Sequence, residues 1–307
     1  MVLSVSIWFA PGSHDSFSQS GEQLGQTTSL VVTVNDGNGS PLKGLAPAAF
    51  SITSENVAQE ILEFDESDPP VSTAILFDLS GSMGSYRNGR ALDRTRGALD
   101  ALIRFVQLSN PSNEYILIGF SNKAYVVRAG FHNDSAAIAD LNEMKSLTFK
   151  DSGALYDAVQ LGINELSQGR YAKRVMIIVT DSEDLSGLAN FEPARRLVER
   201  TNAVIYPVLL IPEDNRLAEV LPTFETQSNL REFATLSGGT FFRVKGTPEL
   251  KITERIANEL RSQYHFRIRL KGNSDKKCHE LKLKITPDIG SGSKTASVRT
   301  RKKICPK

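Results

Sequence analysis

Cysteine is nearly absent from this chain: Cys278 and Cys305 are the only two in 307 residues. Two thiols alone build neither a disulfide framework nor a zinc cluster. Histidine is almost as scarce, and His14, His132, His265 and His279 fall at no metal-ligand spacing, which argues against a zinc site. No run of eighteen apolar residues occurs, so nothing here reads as a helical transmembrane segment. Net charge is lacking too, with 36 Lys and Arg against 35 Asp and Glu. A chain so balanced is not built as a whole to bind nucleic acid or an anionic membrane. The apolar stretch VLSVSIWFA at 2–10 has no basic residue before it, and the first lysine is Lys43. It is therefore either an incomplete export signal or the start of a flexible leader, residues 1–24, whose polar Gly/Ser-rich remainder resists packing.

What the chain does have is enough apolar content, 40 %, for a real core, and a length beyond one average domain. One large domain and one smaller one are expected. The charge is unevenly spread: from Gln263 onward thirteen Lys and Arg face three Asp and Glu, which leaves the rest of the chain net negative. Tail and body should attract each other. Both cysteines lie in this basic segment, either as a disulfide between two strands or as two reduced thiols.

SLVVTVND followed by Gly37-Asn38-Gly39 reads as a strand and a tight turn, and AFSITS and EILEFDE as further short strands, so residues 25–70 look all-β. Asp68-Pro69-Pro70 ends that texture. After it, apolar runs (VSTAILFD, EYILIGFS, RVMIIVTD, AVIYPVLLI) alternate with helical patterns, among them NGRALDRTRGALDALIRFVQLS, residues 135–145, GALYDAVQLGINELS and EPARRLVERT. AYVVRAGF adds a possible antiparallel edge strand. Strands that read as continuous Val/Ile/Leu runs between helices predict a doubly wound, mostly parallel α/β sheet over 71–245. A connecting helix over 246–262 follows. In HFRIRLK, Phe266, Ile268 and Leu270 alternate with Arg267, Arg269 and Lys271; HELKLKIT repeats the period and SVRTRKK gives a weaker case. Three such strands are marginal alone. Residues 263–307 are expected to complete the sheet begun by 25–70, with the α/β domain inserted between the two parts of a discontinuous β-domain.

One loop carries the chemistry. In AILFDLSGSMGSYR a buried strand runs into Asp78, and Asp-x-Ser-x-Ser puts Asp78, Ser80 and Ser82 on one short bend that Gly81 and Gly84 permit. A second acidic cluster, Asp181-Ser182-Glu183-Asp184, follows the strand VMIIVT in the same way. Ligands of open parallel sheets collect at the carboxyl ends of the strands. Both clusters should share that edge. Carboxylates and hydroxyls without Cys or His select a hard cation, Mg²⁺ before Mn²⁺ or Ca²⁺, and so few protein ligands leave a coordination position that an acidic residue of another protein would fill.

ILFDLSGSM with VTDSED resembles a von Willebrand factor type A domain carrying a metal-ion-dependent adhesion site. The resemblance implies that Ser80 and Ser82 bind the ion directly and that Asp78 and Asp181 do so directly or through water. The flanking pieces LKGLAPAAFSITSENVAQEILEF, ATLSGGTFFRV, ANELRSQYHFRIRL, ELKLKI and VRTRKK are similar to a bacterial subgroup, the von Willebrand factor A-related Acidobacterial proteins, which implies an exported protein, secreted or in the cell envelope. One departure stands out. Where the family has Gly-Gly-Thr-Ala-Leu-Tyr-Asp-Ala, this chain has Asp151-Ser152-Gly153-Ala154-Leu155-Tyr156-Asp157-Ala158. Gly153 replaces the threonine that supplies a hydroxyl, leaving Ser152, Asp151 or a water to take its place. Asp157 and Asp184 are read as dipole, capping or solvated residues.

The function expected is therefore a non-enzymatic, cation-dependent protein-binding or adhesion module that captures an Asp or Glu of a partner protein. The alternatives are a scaffold with a degenerate metal site and an intracellular partner of an ATPase or chelatase. An Mg²⁺-dependent phosphatase with Asp78 as nucleophile lacks the acid/base Asp two positions on, where Ser80 stands. A serine hydrolase lacks the Gly-x-Ser-x-Gly elbow around either serine of the motif.

Overall fold

The computed structural model describes residues 26–84, 91–147, 153–181, 191–211, 224–245, 250–272, 277–285 and 296–305. Four strands open the chain: β1 (Thr27–Asn35), β2 (Phe50–Ser54), β3 (Val57–Ala58) and β4 (Glu60–Asp65). The middle alternates β5 (Val71–Asp78), α1 (Gly81–Gly84), α2 (Ala91–Leu108), β6 (Glu114–Phe120), β7 (Ala124–Val126), α3 (Asp134–Met144), α4 (Leu155–Ser167), β8 (Lys173–Thr180), α5 (Phe191–Arg200), β9 (Ala203–Ile211), α6 (Phe224–Ser237), β10 (Phe242–Lys245) and α7 (Leu250–Leu260). The chain returns to strands with β11 (Tyr264–Arg269), β12 (His279–Ile285), β13 (Ser297–Arg299) and β14 (Lys303–Ile304).

The continuous apolar runs form the central sheet, in the order β10-β9-β8-β5-β6-β7, parallel except for the edge strand β7. Every residue of β5, β6 and β9 is buried, as both faces are covered. Alternate side chains serve opposite faces: Ile75 and Phe77 pack with Leu99, Phe105 and Leu141 of α2 and α3, and with Ile256, Ala257 and Leu260 of α7. Ala74 and Leu76 pack with Val159, Val198 and Phe233 of α4, α5 and α6. The helix α4 lies so close to the sheet that a Cβ at Gly162 would stand 2.8 Å from Met176 Cε and 3.0 Å from Leu76 Cδ1. Local capping is plain at α3, where the Asn133 side chain accepts the Ala136 N–H at 3.1 Å.

The two ends of the chain meet in two four-stranded sheets, β13-β1-β11-β4 and β14-β12-β2-β3. A single completed sheet was expected. The physical reason for two is burial: each is half apolar, and stacked face to face they bury Leu30, Val32, Phe50, Ile52, Phe266, Ile268 and Leu281 in one core. Phe50, Phe64, Tyr264 and Phe266 cluster with ring centroids 5.0 to 5.9 Å apart. The turn after β1 is held by Asp36, whose Oδ1 accepts the N–H groups of Asn38 and Ser40 at 2.9 and 2.8 Å. The disulfide Cys278–Cys305 closes the end of the β12/β14 pair, next to His279 opposite Ile304.

The sandwich and the α/β layer share a polar seam. Glu259 of α7, 2 % exposed, accepts Tyr206 Oη of β9 at 2.8 Å and Arg299 Nη2 of β13 at 2.7 Å. Gln263 Nε2 donates to Thr33 Oγ1 of β1 and to Tyr206 Oη, at 3.0 and 3.2 Å. The helix α6, the strand β10, the short β3 and the single turn α1 go beyond the sequence reading. In α6 the buried side includes Thr226, Asn229 and Ser237, so its apolar period is broken by polar residues with partners, such as Asn229 Nδ2 donating to Tyr156 Oη at 2.7 Å.

Candidate metal centre

The site begins with strand pairing. β5 and β8 run parallel with Phe77 opposite Val179, so Asp78 and Thr180 finish their strands side by side and Asp181 follows at once. Burial at this edge is nearly complete: Asp78 and Thr180 are 0 % exposed, Ser80 1 % and Asp181 3 %. A buried carboxylate is tolerated only with hydrogen-bond donors or a cation around it.

The donors are local. Asp78 Oδ1 accepts the N–H of Ser80 at 2.8 Å, an Asx turn that swings the chain out of the strand toward α1. Asp78 Oδ2 accepts Thr180 Oγ1 at 2.5 Å, which fixes the carboxylate from the neighbouring strand. The loop is held further by Leu79 N–H donating to Phe120 O at 2.7 Å and by Thr95 Oγ1 donating to Met83 O at 2.6 Å. These bonds aim the two motif serines at one place: Ser80 Oγ lies 3.0 Å from Ser82 Oγ, and Ser82 Oγ donates to Asp181 Oδ1 at 2.7 Å.

The result is a run of side-chain oxygens from Ser80 through Ser82 to Asp181, tied to the Asp78 carboxylate through the Ser80 N–H. Adjacent ligands of an octahedral Mg²⁺ stand about 2.9 Å apart, given metal–oxygen bonds near 2.1 Å. The spacings of 3.0 and 2.7 Å among Ser80, Ser82 and Asp181 match that edge, and the donor set is all oxygen. The residues present fit a small hard cation. Among the described residues no group of three or more His, Cys, Asp and Glu is gathered, so any cation here depends on the hydroxyls as much as on the two carboxylates.

Of the residues singled out in the sequence, Asp78, Ser80, Ser82 and Asp181 are thus brought together. Gly153 is buried just ahead of α4, and Asp157 is half-buried in the first turn of that helix. Asp151, Ser152 and Asp184 lie outside the described residues, as does the leader at 1–24. His265 and His279 stand on β11 and β12 in the sandwich, and His132 bridges to Tyr115 at the start of β6, the opposite end of the sheet from Asp78. The residue that sequence reading missed is Thr180. Its signal was a hydroxyl at the last position of an otherwise apolar strand, directly before an Asp.

Residues 73–183 match the family model described as the von Willebrand factor type A domain. No curated protein matches the chain. Among solved structures, proximal thread matrix protein 1 from the mussel byssus is 15 % identical with a TM-score of 0.52, over 68 % of this chain and 51 % of that one. The same mussel protein with a zinc-occupied metal-ion-dependent adhesion site gives 14 %, 0.51, 68 % and 50 %. A D319A mutant of the PilB minor pilin from Streptococcus sanguinis is 13 % identical with a TM-score of 0.48, over 63 % of this chain and 62 % of that one. This chain thus spans about half of the mussel protein's length and under two thirds of the pilin's. With strand order, helix layers and the matched segment in agreement, the chain carries a von Willebrand factor type A domain over residues 73–183.

Proposed function

We propose that the chain is a divalent-cation-dependent protein-binding module whose ion is held by Asp78, Ser80, Ser82 and Asp181 and whose ligand is an acidic residue of a partner protein. The observation that supports it best is the run of oxygens at 3.0 and 2.7 Å from Ser80 through Ser82 to Asp181, positioned by the buried Asp78. When bound, Mg²⁺ would supply a positive centre with a coordination position open to a carboxylate oxygen; Ser80 and Ser82 would add neutral oxygens, so the formal negative charge this ligand set brings would be that of Asp78 and Asp181 alone. Asp78 positions the serines through its own hydrogen bonds, and Asp181 orients Ser82. Among the described residues at this edge no group is placed for proton transfer or nucleophilic attack in a sequence pattern that predicts it, so binding is the activity proposed. The zinc-occupied site of the mussel protein is one support for the cation, and the disulfide Cys278–Cys305 supports an exported location in the manner of the Acidobacterial subgroup.

A second reading has its own observation. Gly153, where the family has a threonine, offers no side-chain oxygen, which favours a scaffold with a weakened or silent metal site. Titration calorimetry of Mg²⁺, Mn²⁺ and Ca²⁺, with Asp78→Ala as control, separates the two. Saturable heat lost in the variant supports the cation-dependent module, whereas no heat in either protein supports the scaffold. We further propose that the α/β domain, 71–245 with the helix over 246–262, is inserted in a β-domain made of 25–70 and 263–307. A segment of residues 71–262 is then expected to fold alone, and one of 25–70 to fold only when 263–307 is supplied.

A further inference from the structure

Away from the metal centre, a cleft of about 280 Å³ opens beside the edge strand β10, where α6, α7 and the sandwich meet. Its charged lining is all of one sign: Arg231, Arg255 and Arg299 enter it, with no Asp or Glu among the lining residues. Arg299 is matched by Glu259 behind it, at 2.7 Å. Neither Arg231 nor Arg255 has a carboxylate partner among the described residues. Each is instead laid over a ring, Arg231 with its guanidinium carbon 5.0 Å from the Phe241 centroid and Arg255 5.5 Å from that of Phe242. Stacking orients the planar forks without using their N–H donors. Thr235 and Thr240 also line the cleft, the Thr235 hydroxyl donating to Arg231 O at 2.8 Å and the Thr240 hydroxyl accepting from Arg299. Asn35, also in the lining, is 4 % exposed, and its Oδ1 has no hydrogen-bond partner among the described residues; being an acceptor, that oxygen contributes nothing to holding an anion, which leaves the work to the arginines.

We propose that this cleft binds a doubly charged oxyanion group of the phosphate or sulfate type. Two guanidiniums without counter-charge give a local excess of two positive charges, which a dianion neutralises and a single carboxylate does not. Guanidinium forks grip tetrahedral oxyanions by paired N–H donors, a role that falls to Arg231 and Arg255, because Arg299 already gives Nη1 to Gly239 O and Thr240 Oγ1 and Nη2 to Glu259 and serves as a fixed part of the wall. The site is independent of the candidate metal centre, because its lining comes from α6, α7, β13, the end of β1 with the turn after it, and the stretch before β10.

The test is titration calorimetry of the full 307-residue protein with inorganic phosphate and with sulfate, in chelator and at constant ionic strength, with acetate as the monoanion. Saturable phosphate binding with a dissociation constant of roughly 0.1 to 1 mM is expected, with acetate weaker by roughly tenfold or more. Arg231→Gln with Arg255→Gln should weaken phosphate by roughly tenfold or more, while Arg255→Lys, which keeps the charge and loses the fork, falls between. Both side chains are exposed, so the variants are expected to fold, and in phosphate-free buffer their melting temperature should match or exceed the parent's because like charges are removed. Phosphoserine as a second titrant decides the source: binding equal to phosphate means a group carried on a larger molecule, and no binding means the free ion. Absence of saturable heat with both phosphate and sulfate, or the same affinity in the double variant as in the parent, overturns the proposal.

Discussion

The α/β sheet and the β-sandwich solve burial in opposite ways. In the parallel sheet β5, β6 and β9 are buried from end to end, and a polar residue there stands out because water is excluded from both faces. In the sandwich β11 alternates, with Phe266 and Ile268 inward and Arg267 and Arg269 outward against Glu63 and Glu60. Polar residues there are the rule. An Asp or Thr at the end of a parallel strand therefore carries functional information that a charged residue on a sandwich strand does not, and the candidate metal centre lies where the first kind occurs.

The comparison breaks most sharply through the cores. Phe77→Ala in the sheet and Phe266→Ala in the sandwich, both aromatic rings fully or almost fully buried, should each cost about 3 to 5 kcal/mol. Their consequences should differ. The halves of the sandwich are joined through the α/β insertion, so losing the sheet lengthens the loop that must be closed between them, whereas losing the sandwich frees only the ends of the insertion. Hydrogen exchange resolved by segment should show both regions exposed in Phe77→Ala and the sandwich alone in Phe266→Ala. Equal exposure in both variants would remove the distinction.

The disulfide is a gentler lever on the same point. Cys278 and Cys305 lie 27 residues apart and tie β12 to β14, so replacing both with serine should cost the sandwich about 3 kcal/mol in urea unfolding. The candidate metal centre lies at the ends of β5 and β8, and the hydrogen bonds described for it involve no residue of the sandwich. Under the proposed function, cation heats should be unchanged in the reduced protein. A loss of cation binding on reduction would mean that the two regions are more tightly coupled than their cores suggest.

The boundary between the regions is where pH should act. Burial, reinforced by the Lys173 ammonium and opposed by the Asp65 carboxylate, pushes the His265 imidazole down to about 4. Burial, opposed by Asp68, likewise takes Lys173 down to about 8, with its Nζ donating to Leu260 O at 2.5 Å. Between pH 4 and 6.5 the unfolded chain binds a proton at His265 that the folded one does not, so stability from this group rises with pH across that window and is lost as pH falls through it. Lys173 gives the same sign between about 8 and 10.5, where only the unfolded chain is protonated. His265→Asn should flatten the lower window by about 1 to 2 kcal/mol in urea midpoints taken at pH 4.5 and 7.

How far the sequence could be read follows from the same contrast. Continuous apolar strands ending in Asp78 and Asp181 were visible because a doubly covered sheet leaves few ways to place such residues, and the strands at both ends were visible by their period of two. The division of those end strands into two sheets was not, because period two says which residues face inward and nothing about which partner strand they meet. The helix α6 escaped because Thr226, Asn229 and Ser237 are buried with partners that only the fold supplies. The arginine cleft draws on residues from Asn35 to Arg299, a separation over which sequence spacing carries no signal.

Thr180 gives the smallest and most specific test. Its side chain is fully buried and its hydroxyl donates to Asp78 Oδ2 at 2.5 Å, so Thr180→Val keeps the shape of the strand end and removes that bond. Stability should fall by about 1 to 2 kcal/mol, since the buried carboxylate loses a hydrogen-bond donor. If Asp78 works by holding Ser80 and Ser82 in place, as its bond to the Ser80 N–H implies, loosening it from the β8 side should also weaken Mg²⁺ by about tenfold. A conservative swap at an equally buried hydroxyl far from the centre, Thr73→Val, is the control: Thr73 Oγ1 has no hydrogen-bond partner among the described residues, so its loss should leave stability and cation affinity close to the parent's. Equal effects from the two valines would reduce Thr180 to packing; a cation effect confined to Thr180→Val would make it part of the metal centre that the strand pairing of β5 and β8 assembles.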